Sequence, residues 1–122
     1  MPHVTLHYTV NLPEFNPGAA LRAINQVLAD SGHFDEETIK SRALRLDDYR
    51  VGTTDAGRAF VHVQLKILPG RDDATRKGFA ELILAALASV LPGVPANTQL
   101  CVEVDEIDAR TYSKRVIDAS NG

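Results

Sequence analysis

Between His3 and Val10 the side chains alternate: Val4, Leu6, Tyr8 and Val10 share one parity, and His3, Thr5, His7 and Thr9 share the other. A period of two sends neighbouring side chains to opposite faces, so the stretch predicts a strand buried on one side. Asn16-Pro17 then offers a helix cap followed by proline at the first helical position. Leu21, Ile24, Val27 and Leu28 recur at the spacing of one helix face, and Gly32 closes the pattern. Thr38 to Val51 reads as a second extended segment, and TTDAGR (53–58) supplies turn chemistry after it. The order then repeats. In Ala59 to Leu68, Val61, Val63, Leu65 and Ile67 alternate with Phe60, His62, Gln64 and Lys66, and Pro69-Gly70 ends the run. A second helix is predicted from about Asp72 to Leu91, carrying Phe79, Leu82, Ile83, Ala86, Leu87 and Val90, with Pro92-Gly93 as its stop. Leu100, Val102 and Val104 alternate with Cys101, Glu103 and Asp105 in a last strand.

The chain is thus strand-helix-strand twice, and the 122 residues predict one domain (1–122) with a pseudo-repeat of about 2–57 and 58–110 and a C-terminal tail, 111–122. Parallel strands joined through a helix need a crossover. Two such units side by side predict an α/β (α+β) fold: a four-stranded mixed sheet with both helices on one face. Two helices cannot cover both sides. Apolar positions on the uncovered face would call for another subunit, so oligomerisation is expected. The tail contributes Tyr112, Val116 and Ile117 without a regular pattern, and a role in reaching a neighbouring subunit is expected of it.

Composition narrows the partners. Thirteen basic and 16 acidic side chains give a net charge of −3 with no sustained basic run, which argues against nucleic acid or an anionic membrane surface. No apolar run reaches the ~20 residues of a membrane span, and the start of the chain lacks the basic and apolar regions of a signal peptide, so a cytoplasmic location is expected. Cys101 is the single cysteine, which excludes an internal disulfide. Inside a valine-rich strand it reads as a small buried hydrophobe rather than a nucleophile.

Phosphate-cradling glycine loops, Cys-x-x-Cys and helical His-Glu-x-x-His are all absent. His3 and His7 share a strand face, and His62 lies on the corresponding strand of the second half. That spacing permits a metal site, but no accompanying ligand pattern supports one, and histidines of a polar sheet face are the simpler reading. Pro2 lacks an N–H, which is tolerated at the start of a strand. Methionine before a small residue is also commonly excised, and the chain would then begin with a secondary amine able to act as base or nucleophile. A cationic set stands beside it. Lys40 and Arg42 lie two apart in a strand and leave the same face, and Arg71 sits between Pro69-Gly70 and the first turn of the second helix, where an anion is favoured. The spacing alone equally suits solvated edge-strand charges and an Arg71 paired with Asp72 or Asp73.

The opening MPH, the segment IKSRAL (39–44) and above all AFVHVQLKILPGRDDATRK (59–77) resemble the 5-carboxymethyl-2-hydroxymuconate isomerase family of the tautomerase superfamily, which also holds 4-oxalocrotonate tautomerase and macrophage migration inhibitory factor. The resemblance spans nearly the whole chain. It implies two consecutive β-α-β units, assembly as a homotrimer, and a cofactor-independent isomerase without a metal, acting on a small unsaturated di- or tricarboxylate in homoprotocatechuate (aromatic) catabolism. It implies Pro2, freed of Met1, as general base, with Lys40, Arg42 and Arg71 as substrate-binding residues. The base takes the proton of the 2-hydroxyl of a dienol acid and returns it at carbon five. Lys40 stands where the family carries arginine, so the charge is kept and the planar fork is lost. Two other readings stay open. One is a tautomerase, hydratase or dehalogenase of the same superfamily working on another small unsaturated acid; the other is a non-catalytic trimeric binding protein.

Overall fold

The computed structural model of the chain describes residues 1–91, 93–94 and 97–118. Strand β1 (His3–Thr9), helix α1 (Pro17–Asp30) and strand β2 (Lys40–Leu46) make the first unit; β3 (Ala59–Ile67), α2 (Asp73–Ser89) and β4 (Thr98–Glu106) make the second. Both helices begin where local chemistry starts them. The Asn16 side chain accepts the Ala19 N–H at 3.0 Å with Pro17 in the first turn, and the Asp72 carboxylate accepts the Thr75 N–H at 2.8 Å. The second helix ends at Ser89, short of the expected Leu91, with the Val90 N–H turning back to the Leu87 carbonyl at 3.2 Å. Of its expected stop, Pro92 lies outside the described residues.

The extended segment expected over Thr38 to Val51 is shorter in the structure. Glu36–Thr38 form a single 3-10 turn, closed by the Thr38 N–H on the Asp35 carbonyl at 3.0 Å, and ladder pairing stops at Leu46. Beyond it Asp47 draws back to Arg45 at 3.0 Å, and aspartate is a poor strand residue.

The strands lie in the order β2-β1-β3-β4. Within each unit they run parallel, as a helical crossover requires, and β1 meets β3 antiparallel, which makes the sheet mixed as expected. Register places Val4 opposite Leu65 and Leu6 opposite Val63. All four are fully buried beneath Ile24 and Leu28 of α1 and Phe79, Ile83 and Leu87 of α2. Each buried aliphatic side chain of this kind contributes about 1.5–3 kcal/mol.

The opposite face differs from the expectation of apolar positions in need of cover. It presents His3, Thr5, His7, Arg42, His62, Gln64 and Glu103, because those residues hold the polar parity of their strands. Leu44, opposite His7, is an exposed apolar exception on that face, and in the tail Val116 and Ile117 are 76% and 82% exposed. Cys101 is exposed as well, which corrects its reading as a buried hydrophobe. It shares the parity of Glu103 and Asp105, while Leu100, Val102 and Val104 turn toward the helices. No helix among the described residues is long and apolar enough to cross a membrane.

Candidate active site

Pro2 is fully buried at the head of β1, and its carbonyl accepts the Lys40 N–H at 3.1 Å. That bond ties the first residues of the chain to β2. The Met1 amine donates to the Thr38 carbonyl at 3.2 Å, the Thr38 hydroxyl returns a bond to the Met1 carbonyl at 3.1 Å, and the Lys40 ammonium reaches the same Thr38 carbonyl. Amine and lysine therefore share one acceptor. Burial, followed by the contact and charge of Lys40 and the charge of Lys114, lowers the amine from its ordinary 8.0 to about 5. It is neutral at pH 7. Lys40→Met, which removes the nearby charge, should raise that pKa; a titration of the terminal amine by nuclear magnetic resonance reads it, and an unmoved midpoint would show that Lys40 does not set it.

Arg71 follows Gly70, whose φ of 128° lies outside the range that side-chain-bearing residues favour. The turn lays the guanidinium over the ring of Phe34, 4.7 Å from its centroid, and beside that of Phe79 at 5.6 Å. One N–H donates to the His33 carbonyl at 3.2 Å. Arg71 pairs with neither neighbouring acid, since Asp72 caps α2 and Asp73 binds Arg76. The same cap competes with an anion at the start of α2. The Asp72 carboxylate takes one of those N–H groups, that of Thr75, and the Arg71 guanidinium stands beside them.

These groups meet in one open cleft of about 500 Å³, bordered by Met1, Phe34, Thr38, Arg71, Tyr112 and Lys114. The volume suits a small molecule. The structure thus brings the chain terminus and Arg71 together, with Lys40 reaching the Thr38 carbonyl at the cleft wall. Arg42 stands apart. It shares the face of Lys40, as expected, but donates to His3 Nδ1 at 3.1 Å and the Thr5 hydroxyl at 3.4 Å. Of the histidines, His62 meets Glu103 at 3.0 Å and His3 meets Arg42 and Tyr112. Among the described residues no three His, Cys, Asp or Glu side chains are grouped to hold a metal ion.

Sequence reasoning missed Thr38, Phe34, Tyr112 and Lys114. The first two lie in a connection without periodicity. The other two lie in the tail, where the Asp108 carboxylate accepts the Arg110 N–H at 3.0 Å and the Thr111 N–H returns to the Asp108 carbonyl at 3.1 Å. An aspartate-led turn is a legible signal; its destination is not.

Residues 2–119 match the family described as 5-carboxymethyl-2-hydroxymuconate isomerase. The crystal structure of a 5-carboxymethyl-2-hydroxymuconate isomerase from Deinococcus radiodurans R1 is 31% identical over 93% of this chain and 88% of its own, with a TM-score of 0.85. A 5-carboxymethyl-2-hydroxymuconate delta-isomerase shares the fold at 21% identity, over 95% of this chain and 88% of its own, with a TM-score of 0.79. A fused 4-OT wild type symmetric trimer shares it at 16% identity, over 93% of each chain, with a TM-score of 0.71. No curated protein matches significantly. With the family match over residues 2–119 and the 31% identical isomerase beside it, the chain belongs to the 5-carboxymethyl-2-hydroxymuconate isomerase family and is an isomerase of the tautomerase superfamily.

Proposed function

We propose that the chain, once Met1 is removed, uses the secondary amine of Pro2 as a general base to move a proton in 5-carboxymethyl-2-hydroxymuconate, a step of aromatic catabolism. The observation that carries this reading is the placement of the chain terminus, with Pro2 buried directly behind Met1, at a cleft that also holds Arg71. In the present chain Met1 acylates the proline nitrogen and covers it. Its loss uncovers that nitrogen beside the cleft wall, where Lys40 remains close, and a cation beside an amine disfavours the ammonium form. A base must be unprotonated to act, so activity is present above the amine's pKa and lost as pH falls through it.

The amine takes the proton of the 2-hydroxyl, negative charge spreads along the dienolate, and the same proton is returned at carbon five to leave an unsaturated ketone. The bond count closes without an electron donor or acceptor. Arg71 receives a carboxylate through the N–H groups that His33 does not use, and Lys40 supplies a point charge. The assembly in this reading is a homotrimer. Supporting it are the symmetric trimer of the fused 4-OT relative and the exposed Leu44, Val116 and Ile117, which a neighbouring copy would cover.

The test follows ultraviolet absorbance of the dienol acid with protein shown by intact mass to lack Met1. Turnover of 5-carboxymethyl-2-hydroxymuconate in preference to other small unsaturated acids is expected. Preference for hydration or dehalogenation of another acid would move the chain to a different reaction on the same scaffold, and no turnover of any would make it a binding protein.

A further inference from the structure

Three side chains lead from the open sheet face into the cleft. Arg42 Nη2 donates to His3 Nδ1 at 3.1 Å, and His3 Nε2 lies 3.1 Å from the Tyr112 hydroxyl. A guanidinium has donors only, so Nδ1 must accept, and an imidazole with its lone pair at Nδ1 carries its hydrogen on Nε2. That hydrogen goes to the Tyr112 oxygen. The phenolic hydrogen is then left to be given to a third group, and Tyr112 borders the same cleft as Met1 and Arg71.

The phenol is held from two sides. The turn at Asp108 to Thr111 brings it back onto the sheet, and the His3 ring meets it edge-on at 6.1 Å and 69°. Burial, followed by the charges of Lys40, Arg42 and Lys114, holds His3 below its ordinary pKa, the direction a neutral imidazole requires. A hydroxyl that accepts one hydrogen bond becomes a stronger donor of the next.

We infer that Tyr112 is a further catalytic residue, donating its hydroxyl hydrogen bond to the substrate oxygen on which negative charge develops, and that His3 and Arg42 are positioning residues that aim it. The inference rests on the proposed proton transfer at Pro2. No proton leaves Tyr112 in the step; the hydrogen bond shortens as the oxygen gains charge and relaxes when the ketone forms. Arg42 accordingly acts through His3 rather than on a carboxylate.

Tyr112→Phe in the Met1-free enzyme removes the hydroxyl and keeps the ring. It should lower kcat about tenfold with KM little changed, the mark of a bond made in the transition state. His3→Phe should show the same loss, the double variant no further loss, and His3→Gln, whose amide both accepts and donates, should restore most of the rate. Nitrogen resonances of His3 read the chain without turnover, with Nε2 protonated and Nδ1 bare. A hydrogen on Nδ1, or an active enzyme indifferent to Tyr112→Phe, overturns the inference. Loss of turnover in the Met1-free wild type, with the His3 tautomer as stated, would instead overturn the reading of Pro2.

Discussion

A chain that keeps Met1 should lose the isomerase reaction, its kcat/KM falling about 10²- to 10⁴-fold against the Met1-free chain, the usual contribution of a positioned general base. The physical cause is confined to one atom. Acylated by Met1, the proline nitrogen is an amide whose lone pair is shared with the carbonyl, so it takes no proton near neutrality. The remaining groups of the site stay in place: the Pro2 carbonyl still receives the Lys40 N–H, and Arg71 keeps its place over Phe34. The free Met1 amine, though neutral, sits one residue further along and is tied to the Thr38 carbonyl. Kinetics on the two forms, separated and identified by intact mass, with circular dichroism to show an unchanged fold, make the comparison. Equal rates would remove Pro2 from the mechanism. Pro2→Ala should also lose most of the activity, because a primary amine lacks the ring that fixes the direction of the lone pair.

Arg71→Ala should weaken the reaction toward a dicarboxylate by about 10- to 150-fold in kcat/KM, the equivalent of the roughly 1.5–3 kcal/mol of a hydrogen bond to a charged group. The effect is expected to be large because the guanidinium is already ordered. Phe34 and Phe79 hold its plane and the His33 carbonyl fixes one edge, so little rotamer freedom remains to be lost on binding. Arg71→Lys should recover only part of the loss, since an ammonium keeps the charge without the stacked fork. Steady-state kinetics beside a thermal melt separate binding from stability. If the alanine variant kept its kinetics, Arg71 would be a stacking residue of the α1 to α2 junction and nothing more.

Much of the fold was legible because its signals are local. Asn16-Pro17 and Asp72 start helices through bonds that span three residues, and the alternation in β1 and β3 survives as a buried face and a polar face. The differences arise where one local signal competes with another. The β2 segment was shortened by a 3-10 turn and by Asp47, and Cys101 lies on the exposed parity that Glu103 and Asp105 already announced. At the start of α2 the Asp72 cap takes the Thr75 N–H, a local bond that competes with an anion for that donor.

The candidate site divides in the same way. Residue types, their spacing and the family resemblance singled out Pro2, Lys40, Arg42 and Arg71. Which of them share a cleft depends on contacts between groups more than 30 residues apart, such as Met1 with Thr38, His33 with Arg71 and Arg42 with His3. By itself the sequence determined the two β-α-β units, the capped helices and the kinds of charge available, because periodicity and capping act within a few residues. Only the tertiary structure decided that the Thr38 carbonyl holds both the terminal amine and Lys40, that Arg71 lies on two phenylalanine rings, and that Arg42 reaches the cleft through His3 and Tyr112. Those distances are set by sheet register and by a turn that returns the tail to the first strand.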